Sequence, residues 1–387
     1  MKELRIGFVG AGGMGSAQMK EIVKREDVHI EMLYEINTGR GEKVLQDLSL
    51  DKKILVDDFQ LILDNPDIDI VWLVSPNGFH GSQSISAMKA GKHVFCEKPC
   101  ATDFEDYVQQ IEIEKKNPDL KTFVNYLMIF DPMQNRLKKM IARNEFGRIT
   151  QIQINYRYPI NTAGAMSWKL KKGIMGDSIG MGTVHSLSAI INVMSPQAHP
   201  VAVYATNLES QINGFEAEPI YNILIRFNNG TTGFCFGDIE TSKGLDFYHN
   251  ISGTEGGFVF DNQQELKNKV RYCSDKKTQG KWIWPLDSEK CRREGFESSA
   301  WETGTALTDS PEAAELRLTE CIEHFIRSVK NNEKSDLSFE NSSIVAQVGW
   351  AAQMSAATGK EIPLPLDNKK AGDFFNKSET EYKGKEK

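Results

Sequence analysis

Long apolar runs are missing from this chain of 387 residues. No stretch of about 18 consecutive apolar residues occurs, so no membrane-spanning helix is expected. Positive charge is not in excess: 46 Lys and Arg stand against 53 Asp and Glu, a formal net charge of −7. That balance leaves no electrostatic footprint for nucleic acid. The six cysteines, Cys96, Cys100, Cys235, Cys273, Cys291 and Cys321, are scattered, and none falls at zinc spacing. No metal site is expected, and free thiols in a reducing cytoplasm are. Met1-Lys2-Glu3-Leu4-Arg5 leads directly into a strand pattern, without the charged and apolar regions of a signal peptide. No internal repeat is visible. What remains is length enough for two domains and a large core.

Glycine is abundant where it carries meaning. Leu4 to Val9 is apolar and β-favouring, and it runs into Gly10-Ala11-Gly12-Gly13-Met14-Gly15. Gly10, Gly12 and Gly15 fit G-x-G-x-x-G between a strand and a helix over about Gly13 to Arg25. The first glycine permits the tight turn. The second admits a pyrophosphate, and the third lets helix and strand approach. The helix N-terminus then offers its amides to the phosphates. A second strand, about His29 to Tyr34, ends at Glu35, 20 residues beyond Gly15. An acid there suits the adenosine ribose hydroxyls and repels a 2′-phosphate, favouring NAD over NADP. Arg40 just beyond softens that preference. Glu35 as an ordinary helix-entry acid is the plainer alternative.

Strand 69–74 ends in Ser75-Pro76-Asn77-Gly78-Phe79-His80, and strand 93–96 ends in Glu97-Lys98-Pro99. In an open parallel sheet, ligands bind beyond the carboxyl ends of the strands. A lysine held there can donate or accept a proton. Enclosure would lower its pKa, and the Glu97 carboxylate would raise it. An exposed Lys-Glu pair in a loop is the plainer reading of Glu97-Lys98 alone, and His80 alone reads as structural. Asn125 and Tyr126 end the last strand of this half, Leu120 to Tyr126, and so are expected to face the crevice.

Four features stand in order: the glycine turn, Glu35, Ser75-Pro76-Asn77-x-x-His80, and Ala90-Gly91-Lys92-His93-Val94-x-Cys96-Glu97-Lys98-Pro99. Together they resemble the Gfo/Idh/MocA family of glucose-fructose oxidoreductase and inositol dehydrogenase type, over about Leu4 to Pro365. The resemblance implies an α/β chain: an N-terminal Rossmann domain plus a C-terminal α/β domain with a large open, mainly antiparallel sheet. It implies an NAD(P)-dependent dehydrogenase acting on a ring hydroxyl or ketone of a sugar, cyclitol or glycoside. Lys98 would be the catalytic or substrate-polarising lysine. Gly10, Gly12, Gly13, Met14, Gly15, Glu35, Arg40, Ser75, Pro76, Asn77, His80, Glu97, Lys98 and Asn125 would hold the cofactor. A cis peptide before Pro99 and a homo-oligomer, dimer or tetramer, are also implied. The expected division is 1–127, 128–366 and a polar tail, 367–387, that is expected to fray.

In the second half, Thr150 to Tyr158 reads as a strand carrying Tyr156 and Tyr158 on one face and Arg157 on the other. Either tyrosine could line a substrate pocket or belong to sheet surface, and Tyr126 is expected in the same pocket. Trp168-Lys169 resembles the family's aromatic-basic pair. Gly176-Asp177-Ser178-Ile179-Gly180-Met181-Gly182-Thr183-Val184-His185 leads into a helix, and His185 aligns with the family's proton-handling histidine. The family's acid four residues earlier is Met181 here, so Asp177 is the candidate replacement. A buried helix histidine is the alternative for His185. The departure opens two other functions. One is an NAD-dependent redox-neutral glycosidase, whose histidine would fall on Ile179. The other is a non-catalytic NAD-binding regulator. Residues 262–310 read as an irregular insertion rich in Trp282, Trp284 and Trp301.

Overall fold

The computed structural model describes residues 3–385 except 243, 294 and 296–304; Trp301 lies outside the described residues. The first half alternates strand and helix. The strands are β1 (Leu4–Val9), β2 (Val28–Tyr34), β3 (Leu55–Val56), β4 (Ile70–Leu73), β5 (His93–Cys96) and β6 (Thr122–Val124). The helices between them are α1 (Gly13–Ile22), α2 (Thr38–Asp47), α3 (Phe59–Asp64), α4 (His80–Lys89) and α5 (Phe104–Lys116). Every strand pair is parallel, in the order β3-β2-β1-β4-β5-β6. All four residues of β4 are buried, as a strand covered on both faces requires. Three aromatics stack across this sheet, with ring centroids 3.8 Å apart for Trp72–Phe95 and 5.0 Å for Phe95–Phe123.

After α6 (Pro132–Ala142), whose N-cap is Asp131, the chain enters a nine-stranded sheet. It comprises β7 (Ile149–Ile154), β8 (Tyr156–Arg157), β9 (Pro200–Leu208), β10 (Ile220–Phe227), β11 (Thr232–Asp238), β12 (His249–Gly253), β13 (Gly256–Phe260), β14 (Val270–Ser274) and β15 (Ile362–Pro363). The order is β14-β13-β12-β7-β11-β10-β9-β15, with β8 also on β11. Only the pairs that β11 makes with β7 and β8 are parallel. The expected single strand 150–158 is thus two pieces, interrupted at Asn155, whose side chain donates instead to Asp246.

The remaining helices are α7 (Lys172–Met175), α8 (Val184–Met194), α9 (Asp275–Thr278), α10 (Ser288–Arg293), α11 (Pro311–Lys330), α12 (Ser343–Thr358) and α13 (Asn368–Lys385). One face of the large sheet is covered by α8 and α12. Helix α11 goes back to the first sheet, where Phe325 meets Trp72 and Phe95 edge-on at 5.7 and 5.6 Å. Burying such a side chain contributes roughly 1.5–3 kcal/mol.

Two expectations are corrected. Residues 262–310 are not irregular throughout: β14 adds an antiparallel strand beside β13. Trp282 lies under Arg271 at 5.3 Å and Trp284 under Lys290 at 3.2 Å, so both rings serve their own domain. The tail from Asp367 does not fray at its start. It forms α13, and Phe375 packs on Phe104 and Trp350 at 5.5 and 4.9 Å. Phe375, with the buried Ala371, docks a segment whose composition is mostly polar.

Candidate active site

Strand order reverses between β1 and β4, which opens a crevice at the carboxyl ends of the strands. The glycine turn lines it. Gly10 has φ +96°, and a Cβ there would stand 2.6 Å from the Val74 carbonyl oxygen. Gly12 and Gly13, by contrast, have nothing within 4 Å of a built Cβ, so the backbone faces open space at the start of α1. No side chain caps that helix and no acid sits in its first turn. Its amides are therefore available to an anion. Met14 is exposed beside them. Glu35 is buried at the end of β2, accepting from the Ala11 and Asn37 amides at 2.8 Å each. Arg40 approaches it to 3.6 Å. An open phosphate cradle with an anchored carboxylate one strand away fits a dinucleotide.

Beyond β4, the Ser75 hydroxyl donates to Gln83 Oε1 at 2.6 Å, and Pro76 leads into a 3-10 turn at Asn77. Asn77 Nδ2 donates to the Met175 carbonyl at 2.8 Å, tying the crevice to α7. His80, expected to contact the cofactor, has a main-chain carbonyl at each ring nitrogen. Its Nδ1 lies 2.7 Å from the Pro99 carbonyl oxygen and its Nε2 2.8 Å from that of Ser75. Burial pushes its pKa down. A neutral ring carries one N–H, so it donates to one of these two carbonyls at a time while it sits between the two loops that carry the crevice residues.

At the end of β5 the Glu97 carboxylate is buried and held by three donors. Gln18 Nε2 and Asn125 Nδ2 reach Oε1 at 2.6 Å each, and the Lys98 amide reaches Oε2 at 3.2 Å. Gln18 in turn accepts from Trp72 Nε1 at 2.7 Å. Sequence reasoning missed Gln18, because nothing local marks one polar residue of α1 as inward-facing. The Lys98–Pro99 peptide is cis, as the resemblance implied. Lys98 Nζ donates to the Met181 carbonyl at 2.6 Å. Burial lowers its pKa to about 8, against the opposing pull of Glu97 and with help from the positive charge of Lys169.

Opposite Lys98, residues Ile179–Thr183 form a π-helical turn that opens α8. Such turns gather at functional sites. Gly182 makes this one possible: a Cβ there would lie 2.9 and 3.0 Å from the rings of Tyr158 and Tyr156. His185 follows on the first turn of α8, 8% exposed, its ring 5.2 Å from that of Tyr156. Its Nδ1 is buried without a hydrogen-bond partner. Burial, then the charges of Lys98 and Arg317, push its pKa well below the usual histidine range. Tyr156 and Tyr158 share one face, ring centroids 5.4 Å apart, as their alternation predicts.

Three candidates sit otherwise than expected. Asp177 does not orient His185: its Oδ1 accepts from the Gly180 amide at 2.8 Å, capping the π turn, and burial raises its pKa. Tyr126 is 1% exposed and lines a void of about 30 Å³ behind the π turn, with Pro99, Asp177 and Gly180, rather than the cleft face. Ile179, where a glycosidase histidine would fall, is buried at 1% in the core. Trp168 lies in the 3-10 segment Gly164–Leu170, with Lys169 Nζ 5.8 Å from its ring. Arg317 was also unforeseen. It reaches from α11 to the buried Asp131 at 2.5 Å and the Thr308 carbonyl at 2.9 Å, close enough for its charge to act on His185.

Comparison with known proteins gives a consistent picture. Residues 4–126 match the model of the oxidoreductase family with NAD-binding Rossmann fold, and residues 135–259 match the GFO/IDH/MocA C-terminal domain. Myo-inositol 2-dehydrogenase of Thermotoga maritima is 22% identical over 363 residues, 93% of this chain and 98% of its own. Levoglucosan dehydrogenase of Pseudarthrobacter phenanthrenivorans is 24% identical over 71% of this chain and 78% of its own. Among solved structures, a levoglucosan dehydrogenase in complex with NADH and levoglucosan superposes with TM-score 0.77 at 21% identity, covering 94% of this chain and all of that one. Matched in both halves, and carrying the glycine turn and Glu97-Lys98-Pro99 where that fold needs them, the chain belongs to the Gfo/Idh/MocA family of NAD-binding oxidoreductases.

Proposed function

We propose that the protein oxidises a ring hydroxyl of a sugar, cyclitol or glycoside, or reduces the matching ketone, with NAD. One observation carries this reading: the Lys98 amine, lowered to about 8, is buried against the Met181 carbonyl of the π turn, while its backbone amide is fixed on Glu97 and its charge acts on His185. Bound NAD supplies the hydride acceptor. In oxidation the neutral Lys98 amine takes the hydroxyl proton; in reduction its ammonium returns it. His185, neutral and with Nδ1 unshared, accepts a second substrate hydroxyl and holds the ring in place. Tyr156, Tyr158 and Trp168 supply aromatic walls for the sugar. Glu35 favours NAD over NADP, because its carboxylate fills the place of a 2′-phosphate.

The uncovered face of the large sheet supports a homo-oligomer. Tyr204, Leu224 and Phe234 are cross-strand neighbours there, and Tyr204 is 40% exposed. The six cysteines, all buried and none in a disulfide, suit a reducing cytoplasm. The test is a panel of sugars, cyclitols and glycosides incubated with NAD. Appearance of reduced nicotinamide with at least one member supports the reading. Aglycone release without net reduction would replace it with redox-neutral glycoside cleavage.

A further inference from the structure

Lys169 is the anomaly of the cleft. Three lysines lie in a row at 169, 171 and 172. Lys171 is 60% exposed at its side chain, yet it holds Glu216 at 2.6 Å. Lys169 is half-buried, and burial lowers its pKa, yet it makes no hydrogen bond or ion pair among the described residues. Its Nζ lies 5.8 Å from the centre of the Trp168 ring. A partly desolvated cation without a counter-charge is costly to keep. Here it stands near a second amine, since its charge acts on Lys98.

The neighbouring charges offer it nothing. Glu97 is taken by Gln18, Asn125 and the Lys98 amide. Asp177 caps Gly180. Arg157 is paired with Asp246 at 3.7 Å, and Arg317 with Asp131. The position from which a carboxylate could have answered Lys98 is Met181, which gives its carbonyl to Lys98 and its thioether to Asn77 Nδ2. Beside these amines lies His185, 8% exposed, with Nδ1 unpartnered. Among the described residues, neither the Lys98 nor the Lys169 amine is thus hydrogen-bonded to a carboxylate.

We infer that the substrate is an anionic sugar, a ring bearing a carboxylate, and that Lys169 is the residue that pairs with that group. This rests on the dehydrogenase reading and narrows it. A carboxylate at Lys169 would supply the missing counter-charge through a charge-assisted hydrogen bond. A neutral sugar would leave Lys169 as it is.

The test uses the full chain loaded with NAD and matched trios: a hexose, its uronate and the uronate methyl ester. Binding is followed by calorimetry and oxidation by reduced nicotinamide. The expected result is a preference for uronate over methyl ester of about tenfold or more in affinity. That preference should vanish in Lys169→Met and reverse towards the ester in Lys169→Glu, while NAD affinity moves less than about twofold. Equal affinity for uronate and ester overturns the inference, as does a preference that survives Lys169→Met. Loss of NAD affinity in Lys169→Met, with the sugar preference intact, also overturns it and assigns Lys169 to the cofactor. A uronate that binds through Lys169 but is never oxidised upholds the anion site and rejects the dehydrogenase reading instead.

Discussion

The two walls of the cleft differ in how completely their polar groups are satisfied. On the wall formed by the first sheet, a buried chain runs from Trp72 Nε1 to Gln18, from Gln18 to Glu97, and from Asn125 to Glu97, each link 2.6–2.7 Å long. On the wall formed by the π turn and α8, His185 Nδ1 and Thr183 Oγ1 are buried without partners. Buried polar groups are nearly always hydrogen-bonded, so those left over mark a place completed by something else. On the first wall only Asn125 Oδ1 is left over, so that wall is the more nearly finished of the two, and the second leaves its histidine and threonine to a ligand. Lys98 belongs to both, its amide on Glu97 and its Nζ on the Met181 carbonyl.

That contrast predicts different failures. The largest effect is expected at the junction: Lys98→Ala should lower kcat by about 10²–10⁴-fold, the usual range for a general acid/base. NAD affinity, read by titration on the same preparation, should stay within about twofold. On the unfinished wall, His185→Ala should cost about 10²-fold in kcat/KM. The melting temperature should fall only through the lost packing of its buried ring on Tyr156, because Nδ1 gives up no internal bond. On the finished wall the pattern should invert. Gln18→Ala strands the Trp72 N–H and removes one donor from Glu97, so denaturation should reveal a loss of about 1–3 kcal/mol. The smallest effect is farthest from the chemistry. Glu35→Ala should weaken NAD about tenfold relative to NADP, measured as the ratio of the two dissociation constants. An unchanged ratio would remove Glu35 from cofactor choice.

The finished wall was also the more legible in sequence, for a physical reason. The glycine turn, Glu35 and Glu97-Lys98-Pro99 follow strands directly, and strand ends in a parallel sheet locate the crevice without knowledge of packing. The α/β class and the antiparallel second sheet followed from periodicity together with the family resemblance. Gln18 was not legible, because its role depends on Trp72 and Glu97, 54 and 79 residues away. Asp177 was legible only as the nearest stand-in for the family's acid absent at Met181; that the π turn brings the Gly180 amide to its carboxylate was not. Tyr126 follows the last strand of its sheet, yet its ring turns into a void lined also by Val345 and Trp350 of α12. The helices that return from the far end of the chain, α11 bearing Arg317 and Phe325 and α13 bearing Phe375, could be drawn from sequence as helices only in part, and their targets not at all.

The most direct test of the central claim is the pH dependence of kcat/KM in wild-type enzyme, taken in both directions. Burial holds Lys98 at about 8, while His185 is pushed well below the usual histidine range and adds no step near neutrality. Oxidation needs the neutral amine, so its rate should climb about tenfold per pH unit below that value and level off above it. Reduction needs the ammonium and should fall through the same point. A profile flat in both directions across about pH 7–9 would contradict the assignment of proton transfer to Lys98.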